Sequence, residues 1–218
     1  MLMREELAKT IEAYNLSAVG YTQTIARLAN YQETYDFFAD YLKRDDRILD
    51  LACGPANISL NLLKRKQLKI TGIDLSEKMI ETAKRAIPQG EFLCNNIVDY
   101  KSENTFNAVI IGFGVPYLNQ YETEELLKNT YANLKCGGYL YLSFMHGNDE
   151  GFETPSFNPD VEVYIYYHLE SKIEVELKEQ NFDILKQWRL PYFEPNGSIT
   201  TDVVMIAQKI QERSLGSL

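Results

Sequence analysis

The stretch Ile48-Leu49-Asp50-Leu51-Ala52-Cys53-Gly54-Pro55-Ala56-Asn57-Ile58-Ser59 decides the reading of the fold. An apolar run reaches an acid, passes through small residues and a Gly-Pro pair, and enters a second apolar run. A buried strand hands over to a helix across a tight turn in this way. Small side chains let a ligand lie against the backbone, and the helix N-terminus offers unpaired N–H groups. Asp74 follows Gly54 by twenty residues, after Leu68-Lys69-Ile70-Thr71-Gly72-Ile73. An acid at the tip of the next parallel strand can accept hydrogen bonds from both hydroxyls of a ribose. The pattern predicts an adenosine-containing cofactor.

Working outward, strands and helices alternate. Tyr35, Phe38, Ala39 and Leu42 recur at helical spacing over Gln32–Leu42, ahead of the first strand, Ile48–Leu51. A helix is predicted over Ile58–Lys66 and a strand over Lys69–Ile73. Ser76 is expected to cap a helix over Glu77–Ala86. Strands follow at Glu91–Cys94 and Phe106–Ile111, then a helix capped by Thr123 and running through Leu134 to Gly137-Gly138, then a strand over Tyr139–Met145. Gly147–Asp160 reads as a surface loop and Val161–His168 as a strand. Ser171–Gln180 reads as a helix ended by Asn181 in the left-handed conformation. Asp183–Arg189 and Thr201–Lys209 read as last strands joined through Pro195-Asn196-Gly197. The expected fold class is α/β, a seven-stranded sheet, mostly parallel with the last strand antiparallel, and helices on both faces.

The chain of 218 residues suits one such domain, and no apolar stretch approaches the roughly 20 residues that span a bilayer. Met1–Leu7 lacks the apolar core of a signal peptide. Three cysteines without a CxxC pair read as free thiols, so a cytoplasmic location is expected. The formal net charge of −9 disfavours a nucleic acid partner, because phosphate contacts need a basic face. Lys64-Arg65-Lys66 is the dense basic stretch, and its place at a helix end gives it a dipole-complementing role. A small uncharged or cationic substrate fits this balance, in a monomer or homodimer without membrane contact.

A nicotinamide dinucleotide asks for G-x-G-x-x-G, and only Gly54 of the three glycines is present in Ala52-Cys53-Gly54-Pro55-Ala56-Asn57. Asp50 would also repel a pyrophosphate, whereas it would attract an ammonium or sulfonium. Asp50-x-Ala52-x-Gly54-x-Ala56, Asp74-Leu75-Ser76-Glu77-Lys78-Met79, Phe106–Ile111 and Leu134-Lys135-Cys136-Gly137-Gly138 occur in order. In these motifs the chain resembles the class I S-adenosylmethionine-dependent methyltransferases of small-molecule type. The resemblance implies S-adenosyl-L-methionine as cofactor. The implied cofactor site is Tyr21, Asp50, Ala52, Cys53, Gly54, Asn57, Asp74, Leu75, Met79, Asn95, Asn96, Ile97 and Gly112. Asp74 would hold the ribose, and Leu75 and Met79 would flank the adenine. Asn95 would meet the adenine amine where the family often has Asp. Tyr14-x-x-x-Ala18-x-x-Tyr21 resembles the family's N-terminal segment that folds over the cofactor, so residues 1–43 are expected to form a helical cover, 44–210 the catalytic domain and 211–218 a flexible tail.

The implied reaction is methyl transfer to O, N or carboxylate of a small molecule. Alignment and exclusion of water do most of this work, so no catalytic residue is obligatory. His146, after the fifth strand, is the candidate base. Phe113, Tyr117, His146 and Tyr164 are the candidate substrate contacts, although alternation along a strand gives Tyr164 a packing role as well. No metal is expected, since two histidines and three cysteines are dispersed. His168, at a strand end before a helix, is expected in a surface or capping role. The alternatives are an inactive scaffold of the same fold, an RNA or protein methyltransferase, and a nucleotide-dependent oxidoreductase.

Overall fold

The computed structural model describes residues 3–25, 29–194 and 197–210. The expected tail 211–218 and the Pro195-Asn196 part of the last turn lie outside the described residues. The helices are α1 (Glu5–Ile25), α2 (Gln32–Tyr41), α3 (Asn57–Leu63), α4 (Glu77–Ala86), α5 (Gln120–Asn133) and α6 (Glu170–Glu179). The strands are β1 (Arg47–Leu51), β2 (Lys69–Asp74), β3 (Glu91–Cys94), β4 (Phe106–Gly112), β5 (Leu134–Met145), β6 (Glu150–Glu153), β7 (Val163–Tyr166), β8 (Phe182–Phe193) and β9 (Ile199–Lys209).

Seven strands form one sheet in the order β3-β2-β1-β4-β5-β9-β8. The contacts from β3 through β5 are parallel, and β9 runs antiparallel to both β5 and β8. The strand order reverses between β1 and β4, so their carboxyl ends open a crevice where ligands bind in open α/β sheets.

Alternation along the strands divides the core into two layers. Leu49, Leu51, Val109 and Ile111 pack with Leu126 and Leu127 of α5 and with Ile173 and Leu177 of α6. Ile48, Ala108 and Ile110 face the opposite way, onto Phe38 of α2, Leu62 of α3 and Ala83 of α4. Burying one such side chain contributes about 1.5–3 kcal/mol.

Four local expectations change. The α5 cap is Asn119, not Thr123: Asn119 Oδ1 accepts the Glu122 N–H at 2.9 Å, and Glu122 Oε2 accepts the Asn119 N–H at 3.0 Å. This reciprocal box satisfies two N–H groups at once, which Thr123 alone would not. The helix stops at Asn133, and Lys135–Gly138 form an irregularity inside β5 rather than a turn before it. The polar segment 147–160 contains β6, which pairs with β7 in a separate two-stranded sheet. Pairing within a short ribbon outweighed its weak strand composition. The fourth change is α3, which ends at Leu63, short of the basic stretch. There Arg65 pairs with Asp36 at 2.5 Å, and Lys66 donates to the Leu42 carbonyl.

Among the described residues, no helix is long and apolar enough to cross a membrane. No group of His, Cys, Asp or Glu among them is arranged to hold a metal ion.

Candidate active site

The loop leaving β1 is tightly wound. Ala52, Gly54 and Ala56 all have positive φ (56°, 51° and 63°). The two alanines are strained there by roughly 1–2 kcal/mol each, and such strain gathers where backbone must meet a ligand. Asp74, ending β2, ties this loop down: its Oδ2 accepts the Gly54 N–H at 2.8 Å and its Oδ1 the Ser76 N–H at 2.8 Å. Burial raises the Asp74 pKa, and its backbone hydrogen bonds oppose that. On the other side, the loop after β4 comes close. A Cβ added to Gly114 would lie 2.9 Å from the Ala52 Cβ.

Between these loops lies a cavity of about 760 Å³. Its walls include Ala52, Gly54, Asp74, Leu75, Met79, Asn96, Ile97, Gly112 and Phe113, and α1 closes it with Leu7, Ile11, Tyr14 and Tyr21. Ser76 Oγ donates to Asn15 Oδ1 of α1 at 2.7 Å, which seats the helix on the α4 cap. Asn158 Nδ2 donates to Ser17 Oγ at 2.8 Å from the other side. The second N-terminal helix, α2, instead packs into the sheet layer through Tyr35, Phe38 and Ala39.

A second cavity, of about 790 Å³, adjoins the first. Tyr14, Tyr21, Phe113 and Tyr117 border both spaces. Tyr14 and Tyr117 meet hydroxyl to hydroxyl, and their rings stand edge to face at 5.5 Å. Phe113 is held in the left-handed region (φ 57°), with its N–H donated to Ser143 Oγ at 3.0 Å. The lining of the second cavity also carries Glu153, Glu194 and Asp202. Asp202 is 3% exposed and accepts from the Tyr31 hydroxyl. Burial pushes its pKa up to about 6 against the Tyr31 hydrogen bond, with Glu194 adding to the rise.

Several expected residues do not line either cavity. Asp50 is 2% exposed and turned under its loop toward α3, where Oδ2 accepts from Ser59 Oγ at 2.6 Å. Burial raises its pKa to about 7, partly opposed by that hydrogen bond and helped by Asp74. Cys53 is buried with its Sγ over Gly72. Asn57 opens α3 and accepts from Asn61. Asn95 is exposed and bonds its own chain at Asn96, and it is Asn96 that reaches the wall.

His146 lies on the face of the sheet opposite its cavity-lining neighbour Met145, with Nδ1 3.9 Å from Glu170 Oε2. Its side chain is not among the residues that line either cavity. Tyr164 is turned outward by strand alternation: Val163 and Ile165 line the second cavity, while Tyr164 packs on Phe152 and donates to Glu150. His168 is not at the surface. It is 9% exposed, its Nε2 lies 3.1 Å from the Leu118 carbonyl, and burial lowers its pKa.

Tyr31, Glu153 and Asp202 escaped the sequence reading, whereas Glu194 falls in Pro191-Tyr192-Phe193-Glu194-Pro195, a stretch that reads as either a substrate rim or a turn. A signal existed for Asp202, an isolated acid at the head of the apolar Val203–Ala207 run. Nothing in the local sequence pointed to Tyr31 or Glu153.

Residues 48–138 match the family described as a methyltransferase domain. A carboxy-S-adenosyl-L-methionine synthase of Campylobacter fetus subsp. fetus (strain 82-40) is 29% identical over 162 residues, covering 70% of this chain and 66% of that protein. A trans-aconitate 2-methyltransferase of Enterobacter sp. (strain 638) is 27% identical, over 67% of this chain and 60% of that one. The alignments with these and similar relatives span about half to two thirds of the relatives' length. Among solved structures, a Burkholderia thailandensis 1,6-didemethyltoxoflavin-N1-methyltransferase, with its namesake compound and S-adenosylhomocysteine bound, superposes with a TM-score of 0.73. Its identity is 16%, and the superposition covers 97% of this chain and 92% of that one. A SAM-dependent methyltransferase of Methanosarcina mazei gives a TM-score of 0.70 at 22% identity, covering 81% and 98%.

Proposed function

We propose that the chain, which carries a methyltransferase domain over residues 48–138 and shares the fold of S-adenosylmethionine-dependent methyltransferases, is a class I enzyme of that kind and transfers a methyl group to a small molecule. S-adenosyl-L-methionine would occupy the first cavity and the acceptor the second. The observation that carries this reading is the pairing of the two spaces across Tyr14, Tyr21, Phe113 and Tyr117 at the carboxyl edge of β1 and β4.

The residues of the first cavity fit the cofactor. Asp74 supplies a carboxylate at the tip of β2, suited to ribose hydroxyls. Leu75, Met79 and Ile97 offer an apolar slot for a purine, with Asn96 as a polar group beside it. Ala52, Gly54 and Gly112 leave backbone open to the remainder. Among the described residues no Lys, Arg or His lines this space, which suits a nucleoside without phosphates. Asp50 lies beneath the loop and does not line this space.

The bound cofactor supplies an electrophilic methyl group on a sulfonium. The chain's part is to align the acceptor with that methyl and to keep water out. Helix α1, which closes over the cavity, would do the second and serve as its cover. The aromatic border does the first, by limiting where the two spaces communicate. The free thiols Cys53, Cys94 and Cys136 accord with a reducing, cytoplasmic setting.

Calorimetric titration with S-adenosylmethionine, S-adenosylhomocysteine and NAD tests this. Micromolar binding of both adenosyl compounds without NAD is expected. NAD binding alone would overturn the reading, and binding of none would favour an inactive scaffold.

A further inference from the structure

We propose that the second cavity selects an acceptor carrying a basic amine on an aromatic or planar frame; this rests on the methyl-transfer reading of the paired cavities. One side is aromatic and apolar. Phe157 stands 5.2 Å from the rings of both Tyr14 and Tyr21, and Met145, Val163 and Ile165 extend that surface. Flat rings fit against such walls, and their π-faces attract a cation.

The other side is acidic. Glu153 ends β6, Glu194 follows β8, and Asp202 lies in β9, so three segments distant in sequence bring carboxylates to one wall. They sense one another: Glu153 raises the pKa of Glu194, and Glu194 raises that of Asp202. Among the described residues, no Lys, Arg or His lines this cavity to balance them. Gathering like charges in a poorly solvated space is unfavourable. A cationic guest relieves the repulsion, whereas an anionic acceptor would add to it.

An amine also has the nucleophile that methyl transfer needs. A carboxylate of the wall takes one N–H proton from the bound ammonium, which frees the nitrogen lone pair. That pair forms the new N–C bond as the methyl C–S bond breaks. The electrons of the C–S bond remain on sulfur, leaving S-adenosylhomocysteine and an N-methylated ammonium.

The test loads the full chain with S-adenosylhomocysteine and titrates matched pairs: tryptamine against indole-3-acetate, tyramine against 4-hydroxyphenylacetate, benzylamine against benzoate. At least one amine is expected to bind at least tenfold more tightly than its acid partner. Glu194→Gln and Asp202→Asn should each weaken that amine at least tenfold, while S-adenosylhomocysteine affinity stays within twofold. Acids binding as well as amines, amines failing to bind the loaded protein, or amine affinity unmoved in both variants would each overturn the proposal. Failure of S-adenosylhomocysteine itself to bind strikes the underlying reading of the first cavity; its binding without any amine strikes the amine proposal alone.

Discussion

Asp74 Oδ2 accepts the backbone N–H of Gly54 at 2.8 Å, so the acid that ends β2 holds the strained loop that leaves β1. The same carboxylate accepts the Ser76 N–H at 2.8 Å and thereby steadies the start of α4. The residue expected to contact the cofactor is thus also the brace of the loop on which the cofactor would lie.

Replacing Asp74 by Asn would turn an acceptor-only group into one that points an NH₂ at a backbone donor. Loss of a charged hydrogen-bond acceptor costs about 1.5–3 kcal/mol. Thermal unfolding should show a Tm lowered by several degrees, and calorimetry an S-adenosylhomocysteine affinity reduced about tenfold or more. Undiminished affinity in the folded variant would remove Asp74 from the cofactor site.

Gly20 governs how α1 sits. A Cβ added there would lie 2.9 Å from the backbone oxygen of Phe157, an atom with little room to yield. Gly20→Ala should lift α1, with its Tyr14 and Tyr21, at a cost of about 1–3 kcal/mol in closing the cover. We expect S-adenosylhomocysteine affinity to fall about tenfold while the core keeps its unfolding midpoint within a few degrees. Equal affinity in the two proteins would show that α1 does not close on the ligand.

Arg4 clamps the start of α1 to α5. Its guanidinium donates to Glu122 at 2.7 and 3.1 Å, to the Tyr117 carbonyl at 3.1 Å and to the Tyr166 hydroxyl at 2.7 Å. Glu122 is 3% exposed, so Arg4→Ala leaves a buried carboxylate without its cation, at a cost of about 2–4 kcal/mol. Arg4→Lys should recover only part of this, since an ammonium cannot make the two-pronged contact. Chemical denaturation of the three proteins measures both steps.

Glu176 is 9% exposed, and its Oε2 has no hydrogen-bond partner. Burial, followed by Glu124 and then Glu179, lifts its pKa to about 7 from 4.5. Between these values the folded chain binds a proton that the unfolded chain releases, so stability falls as pH rises through the window. Glu176→Gln should therefore be more stable than the parent at pH 8, by on the order of 1 kcal/mol after solvent screening. The gain should vanish only below about pH 3.5, where both states of the parent are protonated. A gain independent of pH would refute this origin.

The strands and helices of the cofactor half were legible because their signals are local. Apolar runs such as Ala108–Ile111, the Ser76 cap and the small-residue turn at Ala52–Ala56 each lie within a few residues of what they specify. Caps were legible only in part: Thr123 and Asn119 both suit an N-cap by type, and the reciprocal bond with Glu122 chose between them. The ribbon of β6 and β7 was half hidden, because a short exposed strand gains its identity from its partner.

The site divides in the same way. The sequence alone determined the order of the parallel strands' motifs, the acid at the tip of β2 and the small residues facing it, since each follows from spacing along one stretch of chain. It also put Phe113 and Tyr117 beside the ligand edge, one turn after β4. Only the tertiary structure turned Asp50 beneath its loop, His146 and Tyr164 away from the cavities, and His168 into the interior. Only it brought Glu153, Glu194 and Asp202 to a common cavity with Tyr14 and Tyr21. Side-chain direction and the meeting of distant segments depend on packing between elements, which no local pattern encodes.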